Sequence, residues 1–190
     1  MHAIRQHAFG PPSTLVLESV PDPVPDTGQV LVRVGAAGVH LLDTAIRSGA
    51  GGGPFPLPDL PMTPGREVAG VVDRVGPGVS PSWLGRRVVA HLGQTSGGYA
   101  ELAVAAVTSL HEIPDGVTDE AAVAAIGTGR TAMAVLEDAR ITQEDVVLVP
   151  AAAGGIGAFV VVAEAGALSR AASNIRATFQ PRGTFSQPKG

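Results

Sequence analysis

The sequence predicts an α+β to α/β chain: a partly closed β-barrel of short strands, then the first βα unit of a second, doubly wound domain. Three observations predict it. Short β-type runs punctuated by Gly and Pro fill the chain as far as Ile113, the pattern of a small barrel. The spacing of apolar residues turns helical after Pro114-Asp115-Gly116. Val146-Val147-Leu148-Val149 then runs into a glycine turn, which is how a βαβ unit opens.

Each element has its own warrant. Leu15 to Glu18 is a short strand, and Pro21, Pro23 and Pro25 make the stiff extended linker after it. Gln29 to Val39 alternates Val30, Val32 and Val34 against Leu31, Arg33 and Gly35, the period of a strand. His40 to Ser48 makes two helical turns, and Gly49 to Pro64 is a loop rich in Gly and Pro. Glu67 to Val75 is the strongest strand and ends at a Gly76-Pro77-Gly78 turn. Arg87 to Ala90, Tyr99 to Val104 and Leu110 to Ile113 are further strands. Thr118 is an N-cap, with Asp119 and Glu120 in the first turn behind it. Gly129 to Arg140 is a second helix with Ala132, Val135, Leu136 and Ala139 on one face. A further helix begins near Ile156.

Composition narrows the function classes. Hydrophobic residues make up 45% of 190 and charged residues 16%, enough apolar content for a core. Net charge is -4 and no basic patch precedes residue 165, which argues against nucleic acid as a partner. The absence of cysteine removes disulfides, thiolate zinc sites and cysteine nucleophiles. It fits a reducing cytoplasm, and no apolar run reaches the length of a membrane span.

The chemistry-bearing signal is the turn Ala152-Ala153-Gly154-Gly155-Ile156-Gly157, an Ala-first variant of G-x-G-x-x-G between a buried strand and a helix start. Residues without large side chains let backbone approach a pyrophosphate, and the helix N-terminus offers free N–H groups. The same turn also suits an ordinary tight strand-to-helix connection. No acid lies about 20 positions on, where NAD-binding chains place one; residues 172 to 178 read Ala, Ser, Asn, Ile, Arg, Ala and Thr. That leans toward NADP.

In order along residues 1 to about 165, the motifs resemble the zeta-crystallin-like quinone oxidoreductases of the medium-chain dehydrogenase/reductase superfamily. They include Met1-His2-Ala3-Ile4-Arg5, Gly28-Gln29-Val30-Leu31-Val32, Ala36-Ala37-Gly38-Val39-His40 and Pro64-Gly65-Arg66-Glu67-Val68-Ala69-Gly70. Val75-Gly76-Pro77-Gly78, Gly97-Gly98-Tyr99-Ala100-Glu101, Ile113-Pro114-Asp115-Gly116 and Thr131-Ala132 continue the series up to the glycine turn. The resemblance implies a GroES-like barrel followed by a Rossmann domain, with substrate and nicotinamide meeting between them. It places the domains at 1–117 (GroES-like catalytic domain) and 118–167 (linking helices and the start of the NADP-binding domain).

Zinc-dependent relatives hold a cysteine ligand at the position of His40 and a histidine ligand at that of Arg66, so no metal is expected here. Without a Lewis acid the substrate must already be electrophilic, so the resemblance implies NADPH and a quinone or activated enone. Implied catalytic residues are His40, Thr131 and Arg66. His40 stands where the family has a cleft-lining asparagine and is read either as a donor to an oxyanion or as a structural histidine. Arg66 reaches for cofactor phosphate or substrate, or forms an ion pair. Thr131 faces the nicotinamide, or bonds its own helix backbone. Ala152, Ala153, Gly154, Gly155, Ile156, Gly157 and Thr131 are the implied cofactor contacts. The family dimerises through its nucleotide-binding domain, so a homodimer is implied where that domain is whole.

Residues 168–190 carry Arg170, Arg176, Arg182 and Lys189 and no acid. They are expected to be disordered. The chain is expected to be a C-terminally truncated form with weak or no NADPH turnover. The competing reading is a non-catalytic GroES-like barrel that serves as an interaction module.

Overall fold

A computed structural model gives the fold and describes residues 1–50, 56–141 and 147–164. The chain divides into two compact units, Met1–Gly127 and Thr128–Gly190.

In the first unit, β1 (His2–Gln6) pairs with β2 (Leu15–Ser19) as a two-stranded antiparallel ribbon. The main sheet has five strands: β3 (Gln29–Ala37), β4 (Glu67–Val75), β5 (Arg87–His91), β6 (Leu102–Ala106) and β7 (Leu110–Glu112). Its order is β6-β3-β4-β5-β7, every pair antiparallel. Among the described residues the two edge strands, β6 and β7, do not pair, so the hydrogen-bonded ladder stays open rather than closing into a full barrel.

Valines set the core. Val30, Val32, Val68 and Val88 are fully buried and pack with Val72, Ala90, Leu92, Ala103, Ala105 and Leu110. β3 departs from the simple alternation its sequence predicts. Val30, Leu31 and Val32 are all buried, and the ladder to β4 shifts between Leu31 and Val32 and again between Val34 and Ala36. Both faces of β3 are therefore covered near its start. Two bulges re-aim the strand toward its end.

Helix α1 (Leu41–Ser48) follows β3 and ends at Gly49, whose φ of 83° closes the helix in the left-handed region. Helix α2 (Asp119–Ala124) begins as expected, with the Thr118 hydroxyl accepting from the Ala121 amide at 3.2 Å. α2 packs on β3, β4 and β5 through buried Ala122 and Val123. Arg87 of β5 reinforces it by donating to the Val117 carbonyl at 2.9 Å and to Asp119 at 2.5 Å. This packing lies within the first unit, which runs to Gly127. A single wide turn of π-helix, Ala125–Gly129, follows.

The second unit contains α3 (Arg130–Ala139) and α4 (Gly155–Glu164), which pack against each other. On α3 the expected apolar face is only partly used, with Ala132 buried and Val135 exposed. The expectation of a strand at Val146–Val149 is corrected. Val147 to Val149 are irregular and Leu148 is 87% exposed, while Val146 lies outside the described residues. A strand needs a ladder partner, and no described strand of this unit offers one. The tail expected to be disordered, 168–190, also lies outside the described residues.

Candidate active site

His40 stands at the N-cap of α1, where β3 gives way to helix. Its backbone N–H donates to the Asp43 carboxylate at 2.8 Å. Its ring Nε2 meets Glu67 Oε2 at 2.5 Å. The Glu67 side chain is only 4% exposed, and the His40 ring 33%. On the other carboxylate oxygen, Oε1 lies 3.9 Å from His91 Nε2. Glu67 and His91 are cross-strand partners in the β4–β5 register. A buried carboxylate thus sits between two partly exposed imidazoles.

The carboxylate fits because the backbone around it is bare. A Cβ at Gly127 would lie 2.1 Å from Glu67 Oε1, and one at Gly38 would lie 3.0 Å from Oε2. Asp43, itself buried, also accepts from the Tyr99 hydroxyl at 3.0 Å. Burial pushes the Tyr99 phenol above its ordinary value, and the charges of Asp43 and Glu67 with the hydrogen bond to Asp43 push the same way. Because the folded-state value is raised, this group's contribution to stability is whole below about pH 10 and is lost as pH climbs through the folded value. Tyr99 is the chain's one tyrosine. Native protein at about pH 11 is therefore expected to show almost no tyrosinate absorbance, whereas the chain in concentrated urea shows it in full. Equal signals in the two states would refute the buried pair.

The other expected site residues fall as follows. Arg66 Nε donates to the Gly93 carbonyl at 2.6 Å, so its guanidinium helps hold the loop after β5. Thr131 lies in the first turn of α3, in the second unit. Ala152 to Gly154 are exposed and form a tight turn in which the Gly154 amide donates to the Ala151 carbonyl at 2.8 Å. A Cβ at Gly157 would lie 2.4 Å from that carbonyl oxygen, so α4 seats on the turn only with glycine there. Small exposed residues ahead of a ten-residue helix fit a pyrophosphate cradle. Among the described residues, no group of three or more His, Cys, Asp or Glu side chains is arranged to hold a metal ion.

No motif of the sequence singles out His91. Its proximity to Glu67 follows from strand register, and the available signal is the pairing of two strands both legible as valine-rich runs. Also among the described residues, no helix is long and apolar enough to cross a membrane.

Residues 26–115 match the family model described as alcohol dehydrogenase GroES-like domain. The chain is 41% identical over 159 residues to a mouse quinone oxidoreductase, covering 83% of this chain and 47% of that protein. It superposes on the human synaptic vesicle membrane protein VAT-1 homolog-like protein with a TM-score of 0.79 at 30% identity, covering 87% of this chain and 52% of that one. A mycobacterial protein solved with NADPH gives a TM-score of 0.70 at 37% identity, covering 84% and 48%. The chain thus spans about half the length of the relatives it matches.

Proposed function

We propose that this chain, whose residues 26–115 match the alcohol dehydrogenase GroES-like domain and which is 41% identical over 159 residues to a quinone oxidoreductase, serves NADPH-dependent reduction of quinones or activated enones without zinc. The observation that carries the reading is His40, partly exposed, with Nε2 tied to buried Glu67 at 2.5 Å.

In sequence His40 lies between Val39 and Leu41, both exposed apolar residues. Nicotinamide supplies the hydride when bound. The chain's residues supply the rest. Glu67 on Nε2 fixes the ring, so Nδ1 is the nitrogen left to face the developing oxyanion, and it donates from the doubly protonated imidazolium, which keeps its Nε2–H on Glu67 as the Nδ1 proton leaves. Ala152, Ala153, Gly154, Gly155, Ile156 and Gly157 offer backbone to the pyrophosphate, and Thr131 a hydroxyl to the cofactor. Arg66 is assigned an indirect role through the loop it holds at Gly93. The donor set supports the zinc-free part of the reading: zinc sites take three or four convergent N, S or O ligands, and Arg66 stands where zinc-dependent relatives place a histidine.

Turnover by residues 1–190 alone is expected to be weak, so binding is the decisive readout. Titrating NADPH into mass-verified protein should give a saturable change in nicotinamide fluorescence. Gly157→Val, which drives a side chain into the Ala151 carbonyl, should weaken it by about tenfold or more, that is about 1.4 kcal/mol. If wild-type protein leaves NADPH fluorescence unchanged, the cofactor assignment falls and a non-catalytic module takes its place.

A further inference from the structure

We propose that Tyr99 and Asp43 are positioning residues that aim the His40 ring at Glu67, with Tyr99 acting as a strut between the start of α1 and the start of β4. What the aimed ring is for rests on the reduction reading above. The strut itself rests on contacts within the first unit.

The sheet alone does not aim the ring. The Gly38 amide donates to the Glu67 carbonyl at 3.0 Å, just past the last register pair of β3 with β4, Ala37 with Val68. His40 lies two residues further on, in extended backbone with φ -114° and ψ 159°, where the chain turns into α1. The place of its ring therefore depends on how that turn is held. Asp43 holds it: Oδ2 accepts from the His40 backbone N–H at 2.8 Å, and the Asp43 amide donates to the His40 carbonyl at 3.0 Å. An acid that reaches back in this way from the first turn is one half of a capping box.

Tyr99 fixes the carboxylate that does this. Its hydroxyl donates to the same Oδ2 at 3.0 Å. Asp43 is buried, and a buried carboxylate turns away from its donors only by giving up their hydrogen bonds. The phenol stays a donor, because burial first, then the charge of Asp43 and the hydrogen bond to it, hold its proton in place.

The other end of the strut is seated on the segment that leads into β4. The Tyr99 amide donates to the Pro64 carbonyl at 2.9 Å, and the Tyr99 carbonyl accepts from the Ile4 amide at 2.8 Å. The Tyr99 ring lies against Gly65, where a Cβ would come within 2.4 Å of Cδ1. The Gly98 amide donates to the Gly65 carbonyl at 3.0 Å, so the two glycine-bearing segments pack backbone to backbone. Gly65 stands two residues before Glu67. One side chain thus touches the run-up to Glu67 through its ring and the cap of His40 through its hydroxyl.

The test needs neither cofactor nor substrate. In the native 190-residue protein, the ring proton that His40 shares with Glu67 at 2.5 Å should resonate downfield of ordinary imidazole N–H signals, and its loss in His40→Gln assigns it. Tyr99→Phe keeps the ring against Gly65 and removes only the hydroxyl. It should move that signal upfield or broaden it away, and speed exchange of the His40 backbone amide, relative to the β4 amides, by about threefold or more. Asp43→Ala should do the same by about tenfold, and Tyr99→Phe should then add nothing. Asp43→Asn, which trades a charged acceptor for a neutral one of the same shape, should move the ring signal the same way by less, and reads the contact if the phenylalanine variant does not fold. A Tyr99→Phe protein that loses stability in urea yet keeps the parent's ring signal and His40 exchange overturns the strut. So does a parent protein without the downfield signal. If NADPH fails to bind yet the ring signal responds, the strut stands and the reduction reading falls. If NADPH binds and the ring signal is indifferent to Tyr99, the strut falls and the reduction reading stands.

Discussion

Gly70→Val is expected to abolish the native fold at room temperature. Gly70 is buried in the middle of β4, opposite Val34 of β3. A Cβ there would lie 2.0 Å from the Arg33 carbonyl oxygen and 3.0 Å from the Gly35 amide nitrogen. All of these are backbone atoms, so no rotamer change relieves the overlap. The sheet must instead part between its two central strands, and these carry Val30, Leu31, Val32, Val68 and Val72. Overpacking of an ordinary core costs about 1–3 kcal/mol. Opening a bulged central ladder adds unpaired amides and exposes valines, so a loss above about 4 kcal/mol is expected, a large part of a small domain's stability. Circular dichroism and urea unfolding followed by the fluorescence of Trp83, which packs on the core, give the measurement. A cooperative transition within about 0.5 M urea of the parent would show that the strands yield easily.

Gly127→Ala should cost about 2–3 kcal/mol by the same urea assay, since its Cβ would stand 2.1 Å from Glu67 Oε1. The carboxylate is tied to His40 through its other oxygen, which resists its swinging aside. If that clash is the cause, shortening Glu67 relieves it. Glu67→Ala and Gly127→Ala should then be strongly non-additive, the double variant being at least about 1 kcal/mol more stable than the sum of single effects predicts. Additive losses would place the cost of alanine at 127 in the backbone of the π-helical turn instead.

How much of this is legible in the sequence varies by element. β4 is readable to the residue, because Glu67 to Val75 is a valine run ending at a Gly-Pro-Gly turn. The start of β3 and the Thr118 cap are equally plain. β1 is not: His2-Ala3-Ile4-Arg5-Gln6 has few β-branched residues, and its order comes from pairing with β2 and from bridges to Ala100 and Met62. β6 begins at Leu102 rather than Tyr99 because Tyr99 hydrogen-bonds to Pro64 and Ile4 instead of entering the β3 ladder. Val147 to Val149 has a strand's composition without a strand's neighbours. At the site, His40 and the adjacent pair Arg66-Glu67 are visible in the sequence. The bond from His40 to Glu67 and the presence of His91 are not, since both depend on how distant segments meet.

The facing of Glu67 and His91 across β4 and β5 also bears on how the sheet assembles. Slipping β5 by one position would set the glutamate opposite Ala90 rather than an imidazole, and would turn Val88 away from the core cluster it belongs to. The carboxylate would keep His40 on Oε2 but lose the imidazole that faces Oε1, and with it part of the compensation for a buried charge. Misaligned hairpins therefore carry an electrostatic penalty as well as a packing one, and the Glu67–His91 pair helps select the native alignment.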